Sequence, residues 1–192
     1  MMTGLRLVAS LGGMVVLAGA VSAQDLEAGR AVANMCRTCH GLDGYAQIPI
    51  APHIGGDPAS YLAGQLHAFR SGEREHEMMT IVAAGLSDTQ IEDVAAWYAA
   101  HTATAVPPQG FDPEAAPEAC AACHGDDGIA VVEDAPNLAA EDTIYLETQL
   151  KAFRSGERQH EVMSAIAADL DDAEIRAVSE WYAAIGIEID GP

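Results

Sequence analysis

Apolar positions along this chain recur at helical spacing, and the same spacing is written twice. Tyr61, Leu62, Leu66 and Phe69 fall at i, i+1, i+5 and i+8, the stripe of one buried helix face. Asp57-Pro58 sets a capping residue and a first-turn proline ahead of that helix, and Gly72 stops it. Ile91, Val94, Ala95 and Tyr98 line another face behind Ser87-Asp88-Thr89-Gln90, which has the form of a capping box. Ile175, Val178 and Tyr182 repeat that face behind Asp171-Asp172-Ala173-Glu174, a looser version. Asp25 is placed to cap an earlier helix from Leu26 to Cys36. No strand is predicted anywhere, so the pattern implies an all-α fold.

The repetition has a fixed offset of 84 (120 − 36) that holds without a gap from Cys36 to Ala100, with roughly half the paired positions identical. It pairs Tyr61 with Tyr145, Phe69-Arg70-Ser71-Gly72-Glu73-Arg74 with Phe153-Arg154-Ser155-Gly156-Glu157-Arg158, and Trp97-Tyr98 with Trp181-Tyr182. Two tandem domains follow, 24–101 and 118–192. The segment 102–117 carries Pro107, Pro108, Pro113 and Pro117 and reads as a stiff, extended linker. Pro117 lies three residues before Cys120, so the helix entering the second domain is a short turn or irregular.

Each half holds one cassette: Cys36-Arg37-Thr38-Cys39-His40, then Cys120-Ala121-Ala122-Cys123-His124, and the chain has no other cysteine. CxxCH is the attachment signature of a c-type haem, in which the thiols bond the porphyrin edge and the histidine lies under the iron. Zinc would need further ligands close to each pair, and a thioredoxin-like dithiol a βαβ setting; the sequence offers neither. Two covalent haems are therefore expected, on His40 and His124. They also supply the apolar body on which halves of about 80 residues can pack. Residue types present in both halves limit the opposite axial ligand to His76/His160 or Met79/Met163. Each methionine lies 39 residues past its histidine (79 − 40; 163 − 124), and a thioether suits an electron carrier. Bis-histidine ligation and an open site remain the other readings.

An address precedes all this. Arg6, the apolar run Leu7 to Ala20 and the small residues Val21-Ser22-Ala23 form a signal peptide over 1–23, cleaved before Gln24, which implies export to the periplasm. The run is too short for a bilayer span. The full chain carries a net charge of −20, and loss of Arg6 with the leader makes it −21. Such acidity excludes nucleic acid as a partner and suits docking to a basic protein surface. The acid is uneven: residues 24–111 sum to −6 and 112–192 to −15. Asp126 and Asp127 follow the second cassette, where the first has Leu42 and Asp43. The haem on His124 is therefore expected to have the lower potential, to receive electrons first, and to lie in the docking half.

The run Met79-Thr80-Ile81-Val82-Ala83-Ala84-Gly85-Leu86-Ser87-Asp88, the Phe-Arg-Ser-Gly segment before it and the Trp-Tyr-Ala-Ala end of each half resemble the dihaem class I cytochromes c of the cytochrome c4 type, over residues 25–185. The resemblance implies two small helical domains, each around a haem, with Met79 and Met163 as distal ligands. It also implies that the carbonyls of Pro52 and Pro136 accept from the ligand histidines. Pro117 departs from the family pattern and bears on how the first helix of the second half packs. The implied activity is single-electron transfer between redox protein partners, without a small-molecule substrate, free or membrane-peripheral through a partner. The alternatives are the cytochrome subunit of a flavoprotein sulfide-type dehydrogenase and a dihaem peroxidase. Trp97 and Trp181 read as core anchors, and Tyr61 and Tyr145 as caps of the haem cleft. Arg70, Arg74, Arg154 and Arg158 read as a solvated face or as propionate partners. His53, His67 and His101 read as surface or satisfied residues.

Overall fold

The computed structural model describes residues 25–192; the signal peptide expected over 1–23 lies outside the described residues. The first half runs α1 (Leu26–His40), α2 (Ala59–Ser71), α3 (Met79–Ala84) and α4 (Asp88–Ala99). The second runs α5 (Glu118–His124), α6 (Thr143–Ser155), α7 (Glu161–Ala168) and α8 (Asp172–Ala183). Asp25 caps α1 by accepting from the Glu27 and Ala28 N–H groups, and α1 extends past Cys36 to His40. Both capping boxes are complete, at Ser87/Gln90 and at Asp171/Glu174. Gly72 and Gly156 end α2 and α6 in the left-handed region that glycine favours.

A two-stranded sheet corrects the expectation of no strand. β1 (Thr102–Val106) pairs antiparallel with β2 (Gly186–Asp190), Thr104 opposite Glu188. Those two residues are themselves 84 apart, so a pseudo-two-fold axis passes through the centre of the ribbon. The extended segment after the first half is thus not free linker at its start: its first five residues are zipped to the end of the second half.

The halves build their cores differently. In the first, α1 lies along α4 at Gly29, where any Cβ would collide with the Asp93 carbonyl, and Ala33, Ile91, Val94 and Tyr98 close the core. In the second, positions matching Gly29 and Ala33 are Pro113 and Pro117. The helix there is seven residues long. Phe111 fills the gap, with its ring 5.4 Å from that of Trp181, and Ile187 and Ile189 of β2 join Tyr182 and Ile185 in the core. Ile91 and Ile175, at the same place in each half, are both fully buried, each stabilising its half by roughly 1.5–3 kcal/mol.

Asp57 is not a helix cap. Pro58 occupies the cap position of α2 without a side-chain bond, while the Asp57 carboxylate accepts from the Asn137 N–H of the other half at 2.8 Å. In the second half the matching cap is Asp142, which accepts from Ile144 N–H.

Candidate haem-binding sites

Attachment residues at i, i+3 and i+4 of a helix share one face, and both cassettes lie at helix C-termini: Cys36, Cys39 and His40 on α1, Cys120, Cys123 and His124 on α5. Gly41 (φ 73°) and Gly125 (φ 75°) then turn the chain away. The four thiols are unbridged and half-buried. Burial pushes the Cys36 and Cys120 thiols up, so they are protonated at neutral pH.

His40 and His124 are buried. Nδ1 of His40 lies 2.9 Å from the Pro52 carbonyl and Nδ1 of His124 lies 2.8 Å from that of Pro136. Burial depresses both imidazoles, more than the carbonyl bonds raise them, so the rings are neutral. A neutral ring that donates from Nδ1 keeps the Nε2 lone pair for a metal. Behind each ring a tyrosine fixes the turn: Tyr98 donates to the Gly41 carbonyl (3.1 Å) and Tyr182 to that of Gly125 (3.2 Å). The paired Trp-Tyr dipeptides were the signal for this tie.

Met79 opens α3 and Met163 sits in the first turn of α7, both half-buried. The competing histidines are bound to the same turns. Nδ1 of His76 accepts from the Met78 and Met79 N–H groups (3.3 and 3.4 Å), and Nδ1 of His160 caps α7 by accepting from Met163 N–H (3.3 Å). Among the described residues, no three His, Cys, Asp or Glu side chains converge as a bare metal ion would require. Free thiol pairs beside a neutral imidazole with an open Nε2 fit a covalently attached haem.

Other repeated residues tie helices together, some within a half and some across the junction. Arg70 and Arg154 tie α2 to α4 and α6 to α8, through Asp88 and the Leu86 carbonyl and through Asp172 and the Leu170 carbonyl. Arg74 and Arg158 instead reach across: Arg74 donates to Gln65 and Gln149, and Arg158 to the same two side chains and to the Tyr61 hydroxyl. Each guanidinium also lies over a phenylalanine, Phe69 or Phe153. Tyr61 therefore bonds the opposite half, where a place at the haem rim was expected, and burial pushes the Tyr145 hydroxyl up to about 12. His53 is buried and also crosses: its Nδ1 accepts from Ala46 N–H (2.9 Å), which leaves Nε2–H to donate to the Ala140 carbonyl (3.1 Å). His101 is buried with Nδ1 donating to the Trp97 carbonyl, and His67 is half-exposed beside Glu92. Trp97 Nε1 donates to the Leu42 carbonyl, whereas Trp181 Nε1 is buried without a partner among the described residues.

The family described as "Cytochrome C oxidase, cbb3-type, subunit III" matches residues 23–97 and 114–181. Cytochrome c4 of Thiocapsa roseopersicina is 36% identical over 185 residues, covering 85% of this chain and 94% of that one. A protein of Stutzerimonas stutzeri named "Thiosulfate dehydrogenase electron acceptor" is 34% identical over 178 residues, 80% of each chain. The crystal structure of reduced cytochrome c4 from Pseudomonas stutzeri superposes with a TM-score of 0.73 at 28% identity, over 85% of this chain and all of that one. With the duplicated thiol–imidazole cassettes, these matches identify the chain as a member of the dihaem cytochrome c4 family, an electron carrier with two covalently bound haems.

Proposed function

We propose that this chain is a periplasmic carrier in which His40/Met79 and His124/Met163 ligate the two irons, and that it accepts electrons from an oxidoreductase of the thiosulfate dehydrogenase kind. The observation that carries the ligand assignment is the common engagement of His76 and His160. In both halves Nδ1 accepts from the backbone of the methionine turn, which puts the proton on Nε2 and leaves no ring lone pair for iron, so the imidazole supports the thioether. Bound there, haem supplies a one-electron ferric/ferrous couple. The chain's own part would be to fix the His40 and His124 rings through the Pro52 and Pro136 carbonyls and to offer the Met79 and Met163 thioethers as the remaining ligands. Iron held in this way would have no open position for peroxide, which argues against the peroxidase reading.

The donor assignment rests on the relative named as an electron acceptor of thiosulfate dehydrogenase, and we prefer it on that ground to the flavoprotein sulfide-type reading. Exposed Met78 and Ile81 flank Met79, and exposed Val162 flanks Met163, so each distal turn offers a small apolar contact within an acidic surface. Among the described residues no helix is long and apolar enough to cross a membrane. The test is to mix ferric protein with thiosulfate and catalytic amounts of a thiosulfate dehydrogenase. Rapid reduction that slows as salt rises is expected; reduction no faster than with thiosulfate alone rejects this donor. The ferric protein should also show the long-wavelength sulfur-to-iron charge-transfer band, and its absence rejects methionine ligation.

A further inference from the structure

Asp57 and Glu141 occupy the same place in the two halves, each on the residue before a helix cap, and both are 2% exposed at the junction between them. Among the described residues neither is paired with a cation: Arg74 and Arg158 are spent on Gln65 and Gln149. Their partners are peptide groups of a particular kind. The peptide joining Pro136 to Asn137 presents its carbonyl to His124 Nδ1 (2.8 Å) and its N–H to Asp57 Oδ1 (2.8 Å). The peptide joining Pro52 to His53 presents its carbonyl to His40 Nδ1 (2.9 Å), and its N–H faces the Glu141 carboxyl. One planar amide thus stands between each proximal histidine and a buried carboxyl of the opposite half.

We propose that Asp57 tunes the potential of the haem on His124, and Glu141 that of the haem on His40, each through the peptide group it shares with that histidine. A negative acceptor on the N–H polarises the amide, making its carbonyl a stronger acceptor for the imidazole Nδ1–H. The ring gains anionic character, becomes a stronger donor to iron, and favours the ferric state. Protonating the carboxyl weakens this chain and raises the potential. Reduction and protonation therefore assist one another: the electron comes from the protein donor and the proton from solvent, which reaches Glu141 through a cleft of about 430 Å³ lined by Tyr45, His53 and Glu141 itself.

Asp57 is able to titrate near neutrality. Burial pushes Asp57 up to about 7 against the bond from Asn137. Glu141 is raised well above the usual carboxylate range by burial, then by Asp57, with Asp142 adding to it and the His53 N–H opposing. Glu141 Oε2 has no partner among the described residues. The other charged and titratable groups facing the pair are His53, depressed by burial, and Tyr145, with Tyr61, Arg74 and Arg158 behind it.

The inference rests on His40 and His124 as proximal ligands, and the test uses the whole dihaem protein. Midpoints are followed through haem methyl resonances, assigned to a half by the cysteines to which each haem is bonded. Asp57→Asn should raise the midpoint on His124 more than that on His40 and shift the His124 Nδ1–H resonance; Glu141→Gln should do the reverse. In the wild type, the His124 midpoint should fall as pH rises between about 6 and 8, the span centred on the Asp57 value, and Asp57→Asn should flatten it. Equal movement of both haems, a larger movement in the variant's own half, or midpoints independent of pH in the wild type overturns the proposal. The last measurement stands even where a variant fails to fold. A wild-type protein without two low-spin haems would sink the ligand assignment and this inference together, whereas intact low-spin spectra with uniform shifts sink the inference alone.

Discussion

The first half builds its haem platform on a 15-residue helix laid along α4; the second does so on seven residues preceded by proline. Yet the cassettes that follow have the same turn, the same imidazole–carbonyl bond and the same tyrosine tie. The site is therefore specified locally, by CxxCH, a glycine and two carbonyls, while the packing behind it can be replaced wholesale. What replaces it in the second half comes partly from elsewhere in the chain, because β1 and Phe111 precede that half and close its core. The first half carries its support within itself; the second borrows.

The largest effect separates the two cassettes outright. Cys36→Ala with Cys39→Ala should remove one covalent haem, and Cys120→Ala with Cys123→Ala the other. A haem-peroxidase stain after denaturing electrophoresis should persist in each double variant; loss of all stain from one pair would show that the halves are not independent. Next, Met79→Ala or Met163→Ala should abolish about half of the sulfur-to-iron band, lower one midpoint and admit carbon monoxide at one iron. If instead His76→Ala or His160→Ala opens an iron while the methionine variants do not, bis-histidine ligation holds.

A third prediction concerns the seam. Folding raises Asp57 from 3.8 to about 7, so the folded chain keeps a proton that the unfolded chain releases. The stability tied to that proton is full below about pH 4 and declines as pH rises to about 7, by up to about 4 kcal/mol. Denaturant unfolding of Asp57→Asn against wild type should show this slope removed; parallel profiles would mean that Asp57 is ionised in the fold at low pH. A fourth sharpens the contrast in support. Gly29→Ala forces a methyl against the Asp93 carbonyl and should cost about 1–3 kcal/mol, seen as faster amide exchange in α1 and α4 with α8 unaffected. Exchange that rises equally in α8 would show the halves to be one cooperative unit.

Legibility in the sequence followed how local each feature is. Covalent attachment leaves a fixed spacing, and the offset of 84 made each half a check on the other, so both cassettes and the helix caps at Asp25, Ser87 and Asp171 could be read directly. Asp57 was misread because Asp-Pro is a sound local cap signal, and its true partner is 80 residues away. Its match to Glu141, which cannot be a cap since Asp142 follows, was the available clue. The ribbon escaped because identity between the halves ends at Ala100 and Thr-Ala-Thr-Ala-Val is too small-sided to read as a strand. Arg74 and Arg158 were visible as a repeated pair, but nothing in one sequence says that a repeated cation faces its own counterpart.

The smallest effect tests whether the last helix matters equally to both halves. Ser87 accepts one backbone N–H of α4, from Gln90, and Gln90 answers with its side chain. Asp171 accepts two, from Ala173 and Glu174, and adds a negative charge at the N-terminus of α8, where the helix dipole favours it. Ser87→Ala should therefore cost about 1 kcal/mol, and Asp171→Ala somewhat more, about 1.5 kcal/mol. The difference also reflects need, because α4 is held along its length by α1 whereas α8 rests on that side on the ribbon, Phe111 and the short α5. Amide exchange of the first turn of each helix reads the two losses separately. A larger loss in α4 than in α8 would mean that the borrowed support is the stronger one.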